Sequence, residues 1–270
     1  MTGELSPERV TALLDTRWLG RSLRCLASVT STSDVARADG RAGAPHGHVV
    51  LAEFQTSGRG RRGRVWLAPP GQNLALSMLL RPSLPIDMAP TLTLIAALAC
   101  RDTLAEWGVT ASIKWPNDLL IDGRKVAGIL SEMGLANGKL DQVIIGIGLN
   151  VNLDPRALPE PVSETATSLA AHLGQPLDRA SLLACLLRHL EAAFDEMARG
   201  DVERLLDRYS RHSATLGQRV RVQLEGTPPF EGVAIGLTRR GALRVQHDSG
   251  EIRDILAGDV EKVRGVGGGQ

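Results

Sequence analysis

The sequence predicts an α+β protein in which a mixed sheet packs with helices and a small, barrel-like β domain follows. Two patterns predict the first part: short apolar, β-branched runs typical of strands, and longer runs with apolar residues at helical spacing. A third pattern predicts the second part, because beyond Gly217 the apolar residues recur at period two between Gly and Pro turns. We therefore assign residues 1–216 to one domain and residues 217–270 to another.

Composition narrows the class of protein. With 270 residues, of which 43% are hydrophobic and 23% charged, the chain is long enough to bury a large core, and we do not expect disorder. The formal net charge of +1 argues against the globally basic surface that binds DNA or an anionic membrane. Any basic site must therefore be local.

Cysteine usage and the N-terminal residues bear on location. Cys25, Cys100 and Cys185 are odd in number and far apart, without paired metal-ligand spacing, which favours buried reduced thiols over a disulfide framework or a zinc site. The first residues contain acids and no apolar signal-peptide core, and no apolar run reaches the length of a membrane span. We expect a cytoplasmic protein that is not attached to a membrane.

Helices and strands alternate in the first hundred residues. One short helix is predicted within residues 1–20, and residues 29–38 predict a second helix that opens at Asp34 behind a polar cap. The apolar runs at residues 48–55 and 73–82 predict buried strands. The candidates for the cap are Ser31, Thr32 and Ser33.

The middle of the chain predicts one long helix and a set of short strands. Residues 90–107 begin with proline and carry apolar residues at helical spacing, which predicts a core helix. Residues 112–151 contain the turn dipeptides Asn117-Asp118 and Asp122-Gly123 between apolar runs. This arrangement predicts a hairpin-rich sheet edge.

Two more helices and the small β domain complete the chain. Residues 178–198 predict an amphipathic helix behind a cap at Asp178, and residues 201–214 predict a further helix. The segments QRVRVQL, FEGVAIGL, ALRVQHD and EIRDIL predict four short strands. The final residues, RGVGGGQ, predict a flexible tail.

Residues 58–66, GRGRRGRVW, form a cationic stretch between two predicted strands. No acidic residue occurs between Glu53 and Asp87, and the stretch lacks the lysine and Ser/Thr of a P-loop. Its glycines allow positive φ and close approach to a ligand, and arginine forks suit carboxylates and phosphates. An anion-binding loop is favoured, and an RNA-binding segment and a merely solvated loop are the alternatives.

A second motif places two of the four lysines of the chain close together in sequence. In KWPND the proline and the Asn-Asp turn allow Lys114 and Asn117 to face one site. Lys125 begins the next strand, in which Gly128 leaves room for a flat ligand. A surface turn with a packed tryptophan is the alternative interpretation.

A third motif, IIGIGLNVN, has glycines within an apolar strand, which mark either close packing or a ligand. In order, the motifs STS, EFQTSGRGRRGRVW, NLALSM, KWPNDLL, RKVAGIL and GIGLNVN resemble the catalytic domain of the biotin protein ligases over about residues 30–152. The β domain after Gly217 resembles the SH3-like C-terminal domain of that family. The implied fold is the class II synthetase-like domain of the biotin and lipoate ligases plus an SH3-like barrel.

The resemblance implies a two-step activity. Members of the family activate biotin with MgATP to biotinyl-5′-adenylate and release pyrophosphate. They then transfer biotin to one lysine of a biotin carboxyl carrier protein or domain of an acyl-CoA carboxylase. The implied cofactors and substrates are therefore ATP, Mg²⁺ and biotin, and the implied partner is the carrier.

The resemblance also implies roles for single residues. Contacts with biotin, from the ureido ring to the carboxylate, are implied for Ser31, Thr32, Ser33, Gln55, Gly58, Arg59, Gly60, Arg61, Lys125, Gly128, Gly146 and Gly148. Contacts with ATP or the adenylate are implied for Arg59, Arg61, Trp66, Lys114, Asn117, Lys125 and Asn150. Mg²⁺ would accompany the ATP phosphates near Asn117 or Asp118.

The chemistry calls for the same residue types. Attack of a carboxylate on the α-phosphorus of ATP brings two anions together, so catalysis consists mainly of positioning and charge neutralisation. In the second step a carrier lysine must lose a proton, and Asp118 is the candidate that helps it, with a turn-capping role as the alternative. We assign catalytic roles to Arg59, Arg61, Lys114, Lys125 and Asp118.

Two departures from the family pattern affect these expectations. Ser33 stands where the family usually has asparagine, so its contact is the least secure of the set. About thirty residues precede the first motif, too few for the winged helix of the repressor members, so we expect no DNA binding or repression. Arg62 and Arg64 are expected to face solvent or the carrier. A weak homodimer is expected, although no strand is marked as a dimer edge.

Three other functions would account for parts of the same pattern. Lipoate ligases share the fold and the adenylation strategy but lack the arginine loop paired with KWPND. A nucleic-acid-binding module would show salt-sensitive binding that depends on Arg59 and Arg61. A non-catalytic biotin-binding protein would release no pyrophosphate on addition of biotin and MgATP.

Overall fold

The computed structural model describes residues 5–263 and contains two β-sheets. The first has the strand order β1-β2-β3-β7-β6-β5-β4, in which only the β1–β2 pair is parallel. Its strands are β1 (Leu23–Leu26), β2 (His48–Ala52), β3 (Leu74–Leu80), β4 (Ser112–Lys114), β5 (Asp118–Ile121), β6 (Arg124–Ala136) and β7 (Lys139–Leu149). The predicted α+β class with a mixed sheet is confirmed.

The second sheet is antiparallel and has the order β11-β10-β9-β8-β12. Its strands are β8 (Arg219–Gln223), β9 (Phe230–Leu237), β10 (Leu243–His247), β11 (Ile252–Ile255) and β12 (Asp259–Lys262). The alternation of buried and exposed residues along β8 and β10 is the period-two pattern of a half-solvated sheet. A β domain therefore follows the main sheet, as the sequence predicts.

The helices cover both faces of the first sheet. They are α1 (Pro7–Leu13), α2 (Thr32–Arg41), α3 (Ala89–Glu106), α4 (Val162–Thr165), α5 (Leu169–Leu173), α6 (Arg179–Ala198) and α7 (Val202–Arg211). Long helices α3 and α6 join the large core on one face, and α2 covers the other, where its Ala36 packs with Val50 and Leu79. Strands β2 and β3 are therefore buried on both faces, which explains their continuous apolar runs.

The long periodic helices lie close to their predicted bounds, and Asp178 caps α6 by accepting a hydrogen bond from the Ser181 amide. The prediction that α2 opens at Asp34 was wrong, because the helix begins at Thr32. Ser31 occupies the N-cap position but makes no side-chain cap hydrogen bond. The hydroxyls of Thr32 and Ser33, the next two residues of the STS motif, bond side chains outside the helix.

Several elements differ from the prediction. Strands β6 and β7 are not short, since they span 13 and 11 residues and form one long hairpin. Strands β1 and β12 and helices α4 and α5 were not predicted; each has only four or five residues, too few to show a period. The predicted flexible tail, residues 264–270, lies outside the described residues.

Two expectations about the whole chain can be compared with the structure. Cys100 and Cys185 are buried and free, as expected, but Cys25 is only half-buried. Within residues 5–263, none of the helices is both long and apolar enough to cross a membrane.

Trp115 of the KWPND motif joins the two sheets. It is 2% exposed, and its indole Nε1 donates a hydrogen bond to the Gly241 carbonyl just before β10. Its backbone amide donates to Thr215 Oγ1 in the segment that leads into β8. The motif is therefore anchored in the core between the sheets, which fixes the orientation of the lysine and asparagine on either side of the tryptophan.

Candidate active site

A cavity of about 170 Å³ lies at the carboxyl end of β2, between the first sheet and the start of β12. It gathers side chains from the start of α2, the arginine loop, the KWPND turn and the paired strands β6 and β7. Most of the residues named from the sequence line it, namely Ser31, Thr32, Ser33, Gln55, Arg59, Gly60, Arg61, Trp66, Lys114, Asn117, Asp118, Lys125, Gly128, Gly146 and Gly148.

The inner end of the cavity is a hydroxyl and amide cluster. Gln55 Oε1 accepts hydrogen bonds from the Thr32 amide at 2.8 Å and from Thr32 Oγ1 at 3.0 Å. Ser77 Oγ lies 2.8 Å from Thr32 Oγ1 and 3.0 Å from Ser33 Oγ. The Thr32 and Ser33 hydroxyls thus belong to a buried polar network that joins the start of α2 to β3 and to Gln55.

Ser77 is a site residue that the sequence analysis missed. It is fully buried in the middle of β3, whose other residues are all apolar. A lone hydroxyl within a doubly buried apolar strand needs a polar partner, and this is the signal that could have identified it. Opposite it in register on β7 lies Gly146, whose missing side chain leaves room for the hydroxyls of Ser33 and Ser77.

Two glycines form a floor beneath the indole of Trp66. Gly128 on β6 and Gly148 on β7 are direct partners in the sheet register. A Cβ on Gly148 would lie 2.7 Å from Trp66 Nε1, and a Cβ on Gly128 would lie 3.2 Å from Trp66 Cζ3. Trp66 Nε1 is buried without a hydrogen-bond partner among the described residues. The missing side chains therefore let the Trp66 indole pack flat on the two strands, and the indole keeps an unused donor there.

The arginine loop folds back on itself as a small hairpin. The amide of Gly60 donates to the Arg64 carbonyl at 2.7 Å, and the amide of Trp66 donates to the Gly58 carbonyl at 2.9 Å. Gly63 alone of the three loop glycines has positive φ, and Arg62 beside it has φ 54°. Gly58 is required for a different reason, because a Cβ there would lie 2.6 Å from the Trp66 carbonyl. The expectation of positive φ holds at one glycine only.

Arg59 lies at the rim in a network of opposite charges. Its Nη2 is 2.8 Å from Asp34 Oδ1 and 3.2 Å from Glu132 Oε2. Arg37 contacts the same two carboxylates, each at 2.9 Å. Because Arg59 is 38% exposed, these ion pairs are weak enough for an anion in the cavity to displace them.

The other loop arginines contact the second sheet. Arg62 Nη1 and Arg64 Nη2 each lie 3.0 Å from Asp259 Oδ2 at the start of β12. Both side chains are exposed, so they face solvent as expected while this carboxylate holds them, and a contact with the carrier stays a prediction. Arg61 Nη1 lies 3.3 Å from Asn117 Oδ1, and burial lowers the pKa of the Arg61 guanidinium from its usual value. Arg61 is thus a largely desolvated cation in the cavity.

The Asp259 contacts lead to a prediction about the loop. Asp259→Asn removes the anion that Arg62 and Arg64 share, so the loop should open more often. Two exposed ion pairs contribute about 1 kcal/mol together, so we expect trypsin to cleave after these arginines about fivefold faster. The control is Asp248→Asn, which breaks the Arg219 ion pair elsewhere on the second sheet. An unchanged cleavage rate in Asp259→Asn would show that the contact does not restrain the loop.

Lys125 lines the cavity together with the polar side chains of Lys114, Asn117 and Asp118. Its Nζ lies 2.6 Å from Asp118 Oδ1 and 5.6 Å from the centroid of the Trp66 ring. The two residues come together because Asp118 on β5 pairs in register with Gly128, three residues beyond Lys125 on β6.

The KWPND turn is held by Asn117, whose side-chain amide donates a hydrogen bond to the Ile129 carbonyl at 2.9 Å. Lys114 is the last residue of β4 and lies beside this turn.

Two residues named from the sequence do not line the cavity. Asn150 follows β7 and is 4% exposed; its Nδ2 donates to the Thr167 carbonyl, and its Oδ1 has no partner in residues 5–263. Gly58 lies in the loop behind the cavity, against Gln55 and Trp66. The role of Asn150 toward ATP stays a prediction.

The cavity combines cationic side chains, buried hydroxyls and the flat indole of Trp66, which are the groups that a ligase acting on an anionic substrate requires. Residues 25–150 match the model of the biotin/lipoate A/B protein ligase family, and residues 215–263 match that of the biotin protein ligase C-terminal domain. The chain is 37% identical to the bifunctional ligase/repressor BirA of Bacillus subtilis over 263 residues, which are 96% of this chain and 79% of that protein.

Two further comparisons agree. The biotin--[acetyl-CoA-carboxylase] ligase of Mycobacterium tuberculosis is 35% identical over 250 residues, which are 90% of each chain. The structure of the Aquifex aeolicus biotin protein ligase in complex with biotin and ATP matches with a TM-score of 0.76 and 30% identity, over 90% of this chain and 99% of that one. The chain belongs to the biotin protein ligase family, and it is a biotin ligase with a C-terminal SH3-like domain.

Proposed function

We propose that this protein activates biotin with MgATP to biotinyl-5′-adenylate and transfers biotin to a lysine of a biotin carboxyl carrier protein. The observation that carries the proposal is the cavity itself, which combines a buried hydroxyl and amide cluster, a glycine floor and the cations Arg61 and Lys125. The relative from Mycobacterium tuberculosis is named a biotin--[acetyl-CoA-carboxylase] ligase, and the Aquifex aeolicus structure holds biotin and ATP.

The inner cluster is suited to the ureido ring of biotin. Thr32, Gln55 and Ser77 are fixed by mutual hydrogen bonds, so they present their remaining donors and acceptors in a set geometry. The apolar valeryl chain would then lead from this cluster along the apolar lining at Ile129 and Ile147 toward Lys125. This orientation places the biotin carboxylate beside the Lys125 ammonium and next to the indole of Trp66.

In the first step a carboxylate oxygen of biotin forms a bond to the α-phosphorus, and the bond from that phosphorus to pyrophosphate breaks. Lys125, Arg61, Arg59 and Lys114 neutralise the charge that is concentrated there. Arg59 must leave Asp34 and Glu132 to reach the adenylate, which couples ligand binding to a movement of the loop. The loop then excludes water from the reactive anhydride.

Mg²⁺ enters as the ion of the MgATP substrate. Carboxylate and amide oxygens are the ligands that it prefers, and Asn117 and Asp118 offer these oxygens in the cavity. In the free protein Arg61 contacts the Asn117 oxygen and Lys125 contacts that of Asp118, so each cation would have to move toward the phosphates. The ion arrives bound to ATP and would neutralise part of the negative charge of the ATP phosphates.

In the second step the carrier lysine attacks the acyl carbon of the adenylate, and AMP leaves. We propose that Asp118 positions Lys125 in the free protein and accepts the proton of the carrier lysine once Lys125 has turned to the phosphate. Asp118→Asn is expected to slow transfer from preformed biotinyl-5′-adenylate by about 100-fold, and pyrophosphate release by about tenfold. Intact mass of the carrier over time measures the first value. A transfer rate equal to wild type would leave Asp118 a structural role only.

The proposed function is tested with the whole protein, biotin, MgATP and a biotin carboxyl carrier domain. We expect the intact mass of the carrier to rise by one biotinyl group, and no increase when lipoate replaces biotin. No gain in mass with biotin would contradict the proposal. Pyrophosphate release without carrier modification would limit the activity to the first step.

The remaining expectations stay predictions. We propose the domain division at residues 216 and 217, supported by the family match over residues 215–263 and by the start of β8 at Arg219. The expected lack of DNA binding contrasts with the ligase/repressor name of the Bacillus subtilis relative, and a mobility-shift assay with operator DNA tests it. Sedimentation analysis tests the expected weak homodimer.

A further inference from the structure

A cluster of three potential metal ligands lies between α3 and α6, outside the cavity. Glu106 is the last residue of α3, and Cys185 and His189 lie on α6. One oxygen, the thiol sulfur and one ring nitrogen from the three side chains all lie within 4.8 Å of one another. His189 Nε2 and Glu106 Oε2 are 2.9 Å apart. None of these residues takes part in the proposed ligase reaction.

The helix geometry brings these ligands together. Cys185 and His189 are four residues apart, so their side chains lie one turn apart on the same face of α6. That face packs on α3, the most extensive helix–helix contact in residues 5–263, which brings the end of α3 and Glu106 to the same spot. Zinc bonds of about 2.0–2.3 Å place neighbouring ligand atoms roughly 3.5 Å apart, so small side-chain rotations suffice.

We propose that Glu106, Cys185 and His189 form a Zn²⁺ site that links the end of α3 to α6. A thiolate, an imidazole and a carboxylate are the ligands that Zn²⁺ takes, and solvent at the exposed Glu106 would supply the fourth. On binding, the Cys185 thiol releases its proton to solvent, and the Nε2 proton of His189 that faces Glu106 is exchanged through solvent for one on Nδ1, which frees the Nε2 lone pair for the metal. No oxidation or reduction is involved.

Arg188 is the group that competes with the metal. Its Nη2 lies 2.6 Å from Glu106 Oε1 and 3.5 Å from Cys185 Sγ. Burial and the nearby Glu106 raise the pKa of Cys185, so in the free protein the sulfur is a thiol. Glu106 has two oxygens, and Arg188 can keep Oε1 while Oε2 binds the ion. Removal of the Arg188 charge should therefore strengthen metal binding rather than abolish it.

The proposal revises an expectation from the sequence. The absence of paired cysteines argued against zinc, and that rule detects only ligand pairs such as C-x₂-C. Here one ligand is a histidine one turn further along the same helix, and the third comes from a different helix, 79 positions away from Cys185 in the sequence. Only the packing of α3 on α6 reveals the set.

The test is titration of the whole reduced protein with Co²⁺, without nucleotide or biotin. We expect a thiolate-to-cobalt charge-transfer band that saturates at one equivalent and disappears on addition of Zn²⁺, which binds such sites more tightly. Zn²⁺ at about 100 times its dissociation constant should raise the Tm by about 5 °C. Absence of the charge-transfer band in the wild-type protein would overturn the proposal.

Single substitutions test which side chains bind the metal. Cys185→Ser should lose the charge-transfer band, and His189→Ala and Glu106→Gln should weaken Co²⁺ binding by at least about tenfold. Arg188→Ala should keep the band at a lower Co²⁺ concentration. Cys25→Ser, which removes the half-buried thiol elsewhere, is the matched control and should behave as wild type. A band that persists in Cys185→Ser, or one that is lost in Cys25→Ser, would contradict the assignment. Circular dichroism of each variant checks that it is folded.

Discussion

Replacement of Lys125 by methionine is expected to reduce biotin-dependent pyrophosphate release by about 10²–10³-fold. Lys125 Nζ lies 2.6 Å from Asp118 Oδ1 and 5.6 Å from the centroid of the Trp66 ring. Methionine keeps most of the aliphatic length and removes only the charge. The loss would therefore report the electrostatic stabilisation that the ammonium gives to the carboxylate and the phosphate in the transition state.

The control for Lys125→Met is Lys139→Met. Lys139 is one of the four lysines of the chain and lies exposed at the start of β7, far along the hairpin from the cavity. Its replacement should leave pyrophosphate release unchanged. If Lys125→Met kept more than about a third of the wild-type rate, Lys125 would not be the cation on which the first step depends. Transfer from preformed biotinyl-5′-adenylate separates its effect on the second step.

The elements that the sequence predicts well are those whose patterns extend over several turns or bury both faces. Helix α6 has five apolar residues at helical spacing behind a capping aspartate, and strands β2 and β3 are buried, mainly apolar runs. The edge strand β1 has only four residues, none of them fully buried, so its pattern carries no signal. β12 is equally short, and its place in the sheet depends on its pairing with β8.

The candidate site also contains features that the sequence predicts and contacts that it does not predict. Glycine and arginine spacing predicts an anion-binding loop because glycine lets the backbone approach a ligand and arginine forks suit carboxylates and phosphates. The sequence could not predict which groups hold the arginines, since Asp259 is 195 positions beyond Arg64 and meets it only through the packing of the second sheet. Ser77 was missed for a similar reason, because its partners Thr32 and Ser33 lie on a separate helix. Contacts between distant segments require the folded chain.

Replacement of Gly148 by alanine is expected to lower kcat/KM for MgATP by about 100-fold with little loss of folded protein. The added methyl group would lie against Trp66 Cε2, closer than real contacts allow, and 2.7 Å from Nε1. It meets the indole ring, which is attached to the loop, so the ring must leave its seat. We expect biotin binding to fall much less, because Ser77 of the hydroxyl cluster pairs in register with Gly146, two positions before Gly148 on β7.

The control for this substitution is Gly236→Ala on β9. Gly236 also lies within a strand, and a Cβ there would meet nothing within 4 Å. Both variants gain one methyl group and lose the same backbone freedom, so a difference between them reports the contact with Trp66 alone. Steady-state pyrophosphate release at saturating biotin measures kcat and KM for ATP. If Gly148→Ala had the same kcat/KM for MgATP as Gly236→Ala, the nucleotide would not depend on the packing of Trp66 on the two glycines. The role proposed for Trp66 would then be wrong.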